Sequence, residues 1–319
     1  MRVLVTGAFG TLGRPTVAEL RRQGHLVRCL DLPSRKSRSV ARRIGQGAEV
    51  LWGDVRDDGL VKMAVDGVDA VIHDAAVLWP ATEHHPEIAH NVNVGGTVSL
   101  IRAMEAAATC PVLVYSSSVS IYGPSSDRVP PLKADHPVHP TDHYTRHKAE
   151  CEALVLASAL PWVILRIGVA LDPQARDASP EAFRTLFDVS PDNRIETIHP
   201  ADVALAQANA VDCGNAVGRT LLIGGGRDCQ VTHRDLFGAI TAALGLRPFP
   251  PEAFGVRPFY TDWMDTDEAQ ELLRFQRGTF DEYRRDLVNS LARIRVAATP
   301  FRPLVRRLLL RYSAPWNRR

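Results

Sequence analysis

The sequence lacks the features that mark several classes of protein. Its five cysteines show no paired C-x-x-C spacing and its eleven histidines no metal-ligand spacing, so we expect reduced thiols, no metal and a cytoplasmic protein. No apolar run approaches the ~20 residues that a membrane-spanning helix needs, and the chain opens on a strand-like segment rather than a secretory signal. A net charge of +2 gives no reason to expect nucleic acid as a partner. Its 319 residues suffice for one large domain or two modest ones.

A glycine-rich stretch near the first residue carries the first functional indication. Residues 3–5 are an apolar run that predicts a buried strand, and residues 11–23 have helical spacing. Between them, Gly7 permits a tight turn, Gly10 lets a phosphate approach the backbone, and Gly13 lets the helix lie close to the strand. A strand, a glycine turn and a helix N-terminus predict a dinucleotide-binding site. The contact residues expected here are Gly7, Phe9, Gly10, Thr11, Leu12 and Gly13.

The residue that ends the second predicted strand, 26–30, bears on which dinucleotide binds. Asp31 follows Gly13 by 18 residues, where a carboxylate holds the adenosine ribose hydroxyls and repels a 2′-phosphate. This favours NAD. Three bases, Arg35, Lys36 and Arg38, follow closely and could neutralise a phosphate, so NADP stays open as the alternative.

Further short strands are predicted at 49–53, 69–73 and 111–115, with a long helical pattern over 85–108. Strands that alternate with helices predict an α/β fold with a doubly wound parallel sheet of the Rossmann type. Ala75 and Ala76 follow one strand end and are small enough for a cofactor to pass close to the backbone. Ligands of such sheets lie beyond the carboxyl ends of the strands.

Tyr144 and Lys148 stand at positions i and i+4 of a predicted helix that begins near His143, with Thr141 or Asp142 as its cap. An ammonium ~4 Å from the phenol would stabilise the phenolate by ~4 kcal/mol at an effective dielectric constant of ~20. That would bring the tyrosine pKa, ordinarily about 10, into range for a general acid or base.

Together these motifs resemble the extended branch of the short-chain dehydrogenases/reductases, the NAD-dependent epimerase/dehydratase group. The resemblance covers about the first 225 residues, and the glycine spacing points to the extended or atypical branches. The matching segments are 6–13 (TGAFGTLG), 53–55 (GDV), 73–76 (HDAA), 93–97 (NVGGT), 114–123 (VYSSSVSIYG), 144–148 (YTRHK) and 199–203 (HPADV).

The resemblance implies hydride exchange between nicotinamide and a carbinol or carbonyl carbon. It implies that Ser118 binds the substrate oxygen, that Tyr144 transfers the proton, and that Lys148 binds the nicotinamide ribose and lowers the tyrosine pKa. Asn93 matches the family asparagine behind the site and joins these as a catalytic candidate. The adenine contacts are expected from Asp54 and Val55.

Two positions depart from the family pattern. Asp74 stands where the family usually has an apolar or small residue, and Gly168 stands where sugar-nucleotide enzymes have an asparagine that holds the diphosphate. Overall motif similarity favours an epimerase or dehydratase acting on a sugar or sugar-nucleotide. Gly168 favours the alternative, a dehydrogenase or reductase of a non-nucleotide, lipid- or steroid-like alcohol or ketone. A nucleotide-sensing or scaffold protein without turnover is a third hypothesis.

The second half is predicted to divide between two parts. Residues 1–168, with 194–225 returning to them, form the NAD-binding part, and 169–193 with 226–319 form a smaller substrate-binding part.

After Asp286 there are eight arginines and no acidic residue, and a basic amphipathic helix is predicted. Packing on its own domain is favoured for this helix, with peripheral membrane contact as the alternative. A small-molecule substrate and a homodimer are expected.

Overall fold

The computed structural model describes residues 1–44, 47–125, 127–174 and 180–318. Within those ranges it contains ten strands. They are β1 (Arg2–Thr6), β2 (Leu26–Asp31), β3 (Glu49–Trp52), β4 (Ala70–His73), β5 (Val112–Ser118), β6 (Trp162–Ile167), β7 (Val169–Ala170), β8 (Arg194–Ile198), β9 (Arg219–Ile223) and β10 (Gln230–Thr232). Seven of these form a parallel sheet of order β3-β2-β1-β4-β5-β6-β9, and β10-β8-β7 form a small second sheet.

The main sheet reverses its winding direction between β1 and β4, as a doubly wound fold requires. The predicted fold class is therefore confirmed. Strand β1 pairs in register with both neighbours, Thr6 lying opposite Leu30 on one side and His73 on the other. This register brings the carboxyl ends of three strands to one edge, immediately above the glycine turn.

Helices cover both faces of the sheet. In chain order they are α1 (Gly13–Arg22), α2 (Arg35–Ile44), α3 (Asp58–Val65), α4 (Ala81–His84), α5 (Pro86–His90), α6 (Gly96–Glu105), α7 (His143–Ala157), α8 (Pro180–Asp188), α9 (Pro200–Ala210), α10 (His233–Ala243), α11 (Asp267–Leu273), α12 (Phe280–Ser290), α13 (Ala292–Ala298), α14 (Arg302–Leu310) and α15 (Ala314–Asn317). One hydrophobic core lies between the sheet and helices α1 and α9, and the other between the sheet and helices α3, α6 and α7.

The long helix predicted over 85–108 is interrupted. A π-helical turn over Asn91–Gly95 separates α5 from α6, and α5 begins at Pro86. The cause lies outside the helix, because the buried Asn93 side chain bonds both the N–H (2.7 Å) and the C=O (2.9 Å) of Val77. Helical periodicity in the sequence does not register such a bond.

The C-terminal half forms its own aromatic core. Phe187, Phe237 and Phe254 pack there with ring centroids 5.0–5.7 Å apart, and Leu309 and Leu310 of α14 cover them. The basic helix thus packs on its own domain. It carries two apolar faces, one buried and one exposed.

Of residues 194–225, α9 packs on the main sheet and β9 is its edge strand, whereas β8 belongs to the small second sheet. The division into cofactor-binding and substrate-binding parts stays a prediction. Residues 175–179 of the predicted second part, and residue 319, lie outside the described residues.

Candidate functional site

A cavity of about 820 Å³ lies at the carboxyl ends of the central strands. It brings together all the residues predicted to contact the cofactor and three of the four catalytic candidates. Its lining includes Gly7, Phe9, Gly10, Thr11, Leu12, Gly13, Asp31, Asp54, Val55, Ala75, Ala76, Ser118, Tyr144 and Lys148.

The glycine turn has the geometry that its sequence predicts. Gly7 has φ of +65°, a left-handed conformation that favours glycine, and a Cβ there would lie 2.8 Å from the N of Ala75. A Cβ on Gly13 would overlap the Gly7 carbonyl group. Both positions therefore need glycine, Gly7 for the turn and Gly13 for the close approach of α1.

Asp31 is the last residue of β2 and lines the cavity. Its Oδ2 accepts a hydrogen bond of 2.7 Å from the Phe9 N–H, so the carboxylate also braces the glycine turn. Burial raises the pKa of Asp31. Of the three bases that could neutralise a phosphate, Lys36 lines the cavity, whereas the Arg38 guanidinium stacks 5.2 Å from the Trp52 ring centroid.

Helix α7 presents Tyr144 and Lys148 to the cavity. It begins with a reciprocal cap, in which Asp142 Oδ1 accepts from the Thr145 N–H (2.8 Å) and Thr145 Oγ1 accepts from the Asp142 N–H (3.1 Å). This confirms the cap and fixes where the helix starts. Ser118, the last residue of β5, lines the same cavity, and its Oγ hydrogen-bonds with Ser120 Oγ (2.7 Å).

The expected action of Lys148 on Tyr144 is not observed. The Lys148 ammonium donates a 2.5 Å hydrogen bond to the Ser116 carbonyl and lies 5.0 Å from the Tyr115 ring centroid. Burial raises the pKa of Tyr144 to about 12, and the lowering influence of the Ser118 hydroxyl on this pKa offsets it only in part. The sequence spacing gave the shared helix face correctly, but only tertiary contacts decide where the ammonium points.

Asn93 lies outside the lining of the cavity. Its amide holds Val77, which does line the cavity, and its Nδ2 lies 3.4 Å from His147 Nδ1 on α7. The side chain is 3% exposed. Asn93 thus joins the segment after β4 to the helix of Tyr144, which is a positioning arrangement rather than direct contact with a ligand.

Sequence reasoning missed the role of Asp74. Its carboxylate lies at the cavity and Oδ1 accepts a 2.6 Å hydrogen bond from Ser116 Oγ, while Oδ2 is buried without a partner among the described residues. Burial raises the pKa of Asp74 to about 6. The available signal was the departure from the family pattern at this position.

Gly168 is tightly enclosed. A Cβ there would lie 2.8 Å from Met264 Cε and 3.0 Å from the Glu196 carbonyl oxygen. Met264 and Glu196, both from the C-terminal half of the chain, therefore fill the space beside Gly168 in the cavity wall. An asparagine could not enter without displacing Met264 or the backbone.

The arrangement fits NAD. The turn offers bare backbone N–H groups at the N-terminus of α1, where a pyrophosphate is stabilised. The carboxylate of Asp31 suits ribose hydroxyls, and the ammonium of Lys148 is a donor for a second ribose.

No cluster of histidine, cysteine, aspartate or glutamate in the described ranges has the geometry of a metal site. In the same ranges, every helix is too short or too polar to cross a membrane.

Comparison with known proteins agrees with this geometry. The profile of the NAD dependent epimerase/dehydratase family matches residues 3–181. A 3β-hydroxysteroid dehydrogenase/Δ5→4-isomerase of Mycobacterium tuberculosis is 32% identical over 161 residues, 49% of this chain and 42% of that protein. A UDP-glucose 4-epimerase of Lactobacillus helveticus is 33% identical over 158 residues, 49% of this chain and 46% of that protein.

Both alignments thus span less than half the length of these relatives. A solved structure similar over nearly the whole chain is that of UDP-glucose-4-epimerase from Stenotrophomonas maltophila, with bound NAD and formylated UDP-arabinopyranose. It has a TM-score of 0.75, is 23% identical and covers 94% of this chain and 99% of its own. The match to the family profile covers more than half of the 319 residues, and the chain therefore belongs to the NAD-dependent epimerase/dehydratase family.

Proposed function

We propose that this protein transfers a hydride between NAD and a secondary carbinol or ketone carbon of a substrate that carries no nucleoside diphosphate. The observation that carries the substrate proposal is Gly168, which stands where sugar-nucleotide enzymes have the asparagine that holds a diphosphate and where a Cβ would already lie 2.8 Å from Met264 Cε and 3.0 Å from the Glu196 carbonyl oxygen. The hydride chemistry itself rests on the family and on the residues gathered in the cavity.

NAD, when bound, supplies the hydride acceptor or donor. The protein holds and moves the proton. Ser118 orients the substrate oxygen next to the Tyr144 hydroxyl, which lines the same cavity. Tyr144 gives its proton to a carbonyl oxygen in reduction and takes one from a hydroxyl in oxidation. A pKa of about 12 suits the first role, and the oxidative role requires the nearby positive charge of the oxidised nicotinamide to lower it.

The charges of the cavity lining support a substrate without phosphate. Of its cations, Arg56 pairs with Asp54 at 2.6 Å and Lys148 donates to a backbone carbonyl. Lys36 lies near the end of β2, with Asp31. Among the described residues, no lysine or arginine of the lining is close to Gly168 in sequence, and apolar side chains line much of the remaining wall. These are Val77, Leu78, Ile88, Val92, Ile167 and Ala170.

The first experiment is to denature the purified protein and identify any released dinucleotide by mass spectrometry. A dehydrogenase or reductase exchanges its NAD after each turnover, so we expect little retained nucleotide. Secondary alcohols, hydroxysteroids among them, are then incubated with added NAD while NADH absorbance is followed, with UDP-glucose in parallel. Turnover of an alcohol that Tyr144→Phe abolishes supports the proposal. Turnover of the UDP-sugar alone contradicts the substrate class.

A second candidate is an epimerase or dehydratase of a sugar or sugar-nucleotide. It is favoured by the solved UDP-glucose-4-epimerase, since that likeness extends through the C-terminal half of this chain. Such an enzyme returns the hydride to its substrate, so NAD need never leave. Near-stoichiometric NAD in the denatured sample would therefore favour this candidate over the first.

A homodimer and a cytoplasmic location are also proposed. Light scattering of the purified chain tests the dimer, whose absence over the working concentration range would contradict it. Cell fractionation of the full-length protein tests the location.

A further inference from the structure

The last part of the chain has a one-sided charge. Residues 287–318 contain seven arginines and no carboxylate side chain. Among the described residues, none of the seven forms an ion pair within 4 Å. Arg306 serves the fold, because its guanidinium stacks 5.0 Å from the Phe249 ring centroid and donates to the Pro248 carbonyl. Arg293, Arg307 and Arg311, by contrast, are exposed.

Apolar side chains accompany these charges on the surface. Phe301, just before α14, and Leu304 and Leu308 within it recur at helical spacing and are 58%, 54% and 43% exposed, while Leu309 and Leu310 face the aromatic core. Arg307 and Arg311 lie on the same exposed side of the helix. Burial of the inward face thus leaves a second apolar strip, bordered by cations.

Helix α13, which precedes α14, is also exposed. It has no buried residue, and its Ile294 and Val296 are 43% and 73% exposed. A helix without a buried residue receives little stabilisation from the body of the protein. We define the arginine face as the exposed side of α14 with its two flanking residues, made of Phe301, Leu304, Arg307, Leu308 and Arg311.

We propose that the arginine face docks on an anionic lipid surface. Arginines that have no carboxylate partner are attracted to an anionic surface. The large apolar side chains between them can insert at the boundary between lipid headgroups and acyl chains. A second copy of the chain fits poorly, because a symmetric contact would oppose one arginine cluster to another. The proposal is peripheral binding, since no described helix is long and apolar enough to span a bilayer.

The test is flotation of the full-length protein with vesicles. Phosphatidylcholine vesicles that contain phosphatidylserine should carry the protein upward, and pure phosphatidylcholine vesicles should not. Arg307→Glu with Arg311→Glu should weaken binding on the order of 30-fold or more, since each cation near such a surface is worth about 1 kcal/mol. Leu304→Ser with Leu308→Ser should also weaken it, and added salt should release the protein.

The matched control reverses two exposed, adjacent arginines elsewhere, Arg42→Glu with Arg43→Glu on α2, and should leave flotation unchanged. Retained NAD binding verifies that each variant is folded. Absence of flotation with anionic vesicles overturns the proposal, as does full binding by either α14 variant. Retention on a polyglutamate resin without vesicle binding would indicate an acidic protein as the partner. Self-association that the leucine variant abolishes, without vesicle binding, would indicate a second copy.

Discussion

The Nε2 of Gln207 donates a 2.6 Å hydrogen bond to Oδ1 of Asp74, across 133 residues of sequence. The same Nε2 lies 2.8 Å from Ser116 Oγ, which itself donates to Asp74, so the three side chains form a closed group. Thr16 Oγ1 of α1 donates a further hydrogen bond to the side-chain amide oxygen, Oε1, of Gln207. This group joins β4, β5, α1 and α9 directly behind the cavity, and it holds a carboxylate near Lys148, whose charge favours the ionised form.

The buried carboxyl of Asp74 makes stability depend on pH. Burial raises its pKa from an ordinary 3.8 to about 6, so between these values the folded protein keeps a proton that the unfolded chain releases. The contribution of this retained proton to the free energy of unfolding is fully present below pH 3.8. It is lost as the pH rises through 6, and the total loss is up to about 3 kcal/mol. Asp74→Asn keeps both acceptor bonds and should flatten the decline in unfolding free energy, measured by urea denaturation from pH 4 to pH 8. Asp192→Asn, at a side chain 79% exposed, is the control, and an equal slope in the two variants would contradict this assignment.

Replacement of Tyr144 by Phe should abolish turnover and spare NAD binding. The phenol is the proton donor and acceptor of the proposed reaction, and loss of such a group costs about 10²–10⁴-fold in rate. Steady-state kinetics and titration calorimetry with NAD separate the two effects. Tyr260→Phe, outside the cavity lining, should change neither quantity. Turnover of Tyr144→Phe at the parent rate would exclude the proposed role.

Asp31→Asn should reduce the preference for NAD over NADP. The amide oxygen still accepts the Phe9 N–H, but the charge that repels a 2′-phosphate is lost, and Lys36 of the lining is then free to attract one. We expect the ratio of the two dissociation constants to fall by about tenfold, or about 1.4 kcal/mol. Asp172→Asn, which removes an ion pair with Arg14 outside the lining, is the control. An unchanged ratio would mean that the neighbouring bases, not Asp31, discriminate the cofactors.

Gly168→Asn should destabilise the protein rather than restore a diphosphate site. The new side chain would meet Met264 Cε and the Glu196 carbonyl, and overpacking of this kind costs about 1–3 kcal/mol. Met264→Ala in the same chain should recover part of the loss. Gly238→Ala is a matched glycine replacement on α10 with no atom within 4 Å, and it should be neutral or stabilising. Urea denaturation compares them. If Gly168→Asn were as stable as the parent protein, the cavity wall would be able to accommodate an asparagine, and a sugar-nucleotide substrate would again be possible.

The sequence by itself determined the main sheet and the glycine turn, and the residues that it predicts as cofactor contacts all line one cavity. These follow from local chemistry: apolar runs form strands, glycine is needed where the backbone turns left-handed at Gly7, and a parallel sheet collects its strand ends at one edge. The cap of α7 and the shared face of Tyr144 and Lys148 are likewise local, because helix geometry alone places residues four apart together.

Only the tertiary structure decided what depends on contacts between distant segments. The ammonium of Lys148 points to Ser116, the helix through Asn93 opens into a π turn to hold Val77, and the tail helix divides its apolar residues between a core and the surface. The closed group around Gln207 and the enclosure of Gly168 by Met264 belong to the same class. Periodicity reports which side chains share a face, but the partner that meets each face is set by how the whole chain packs.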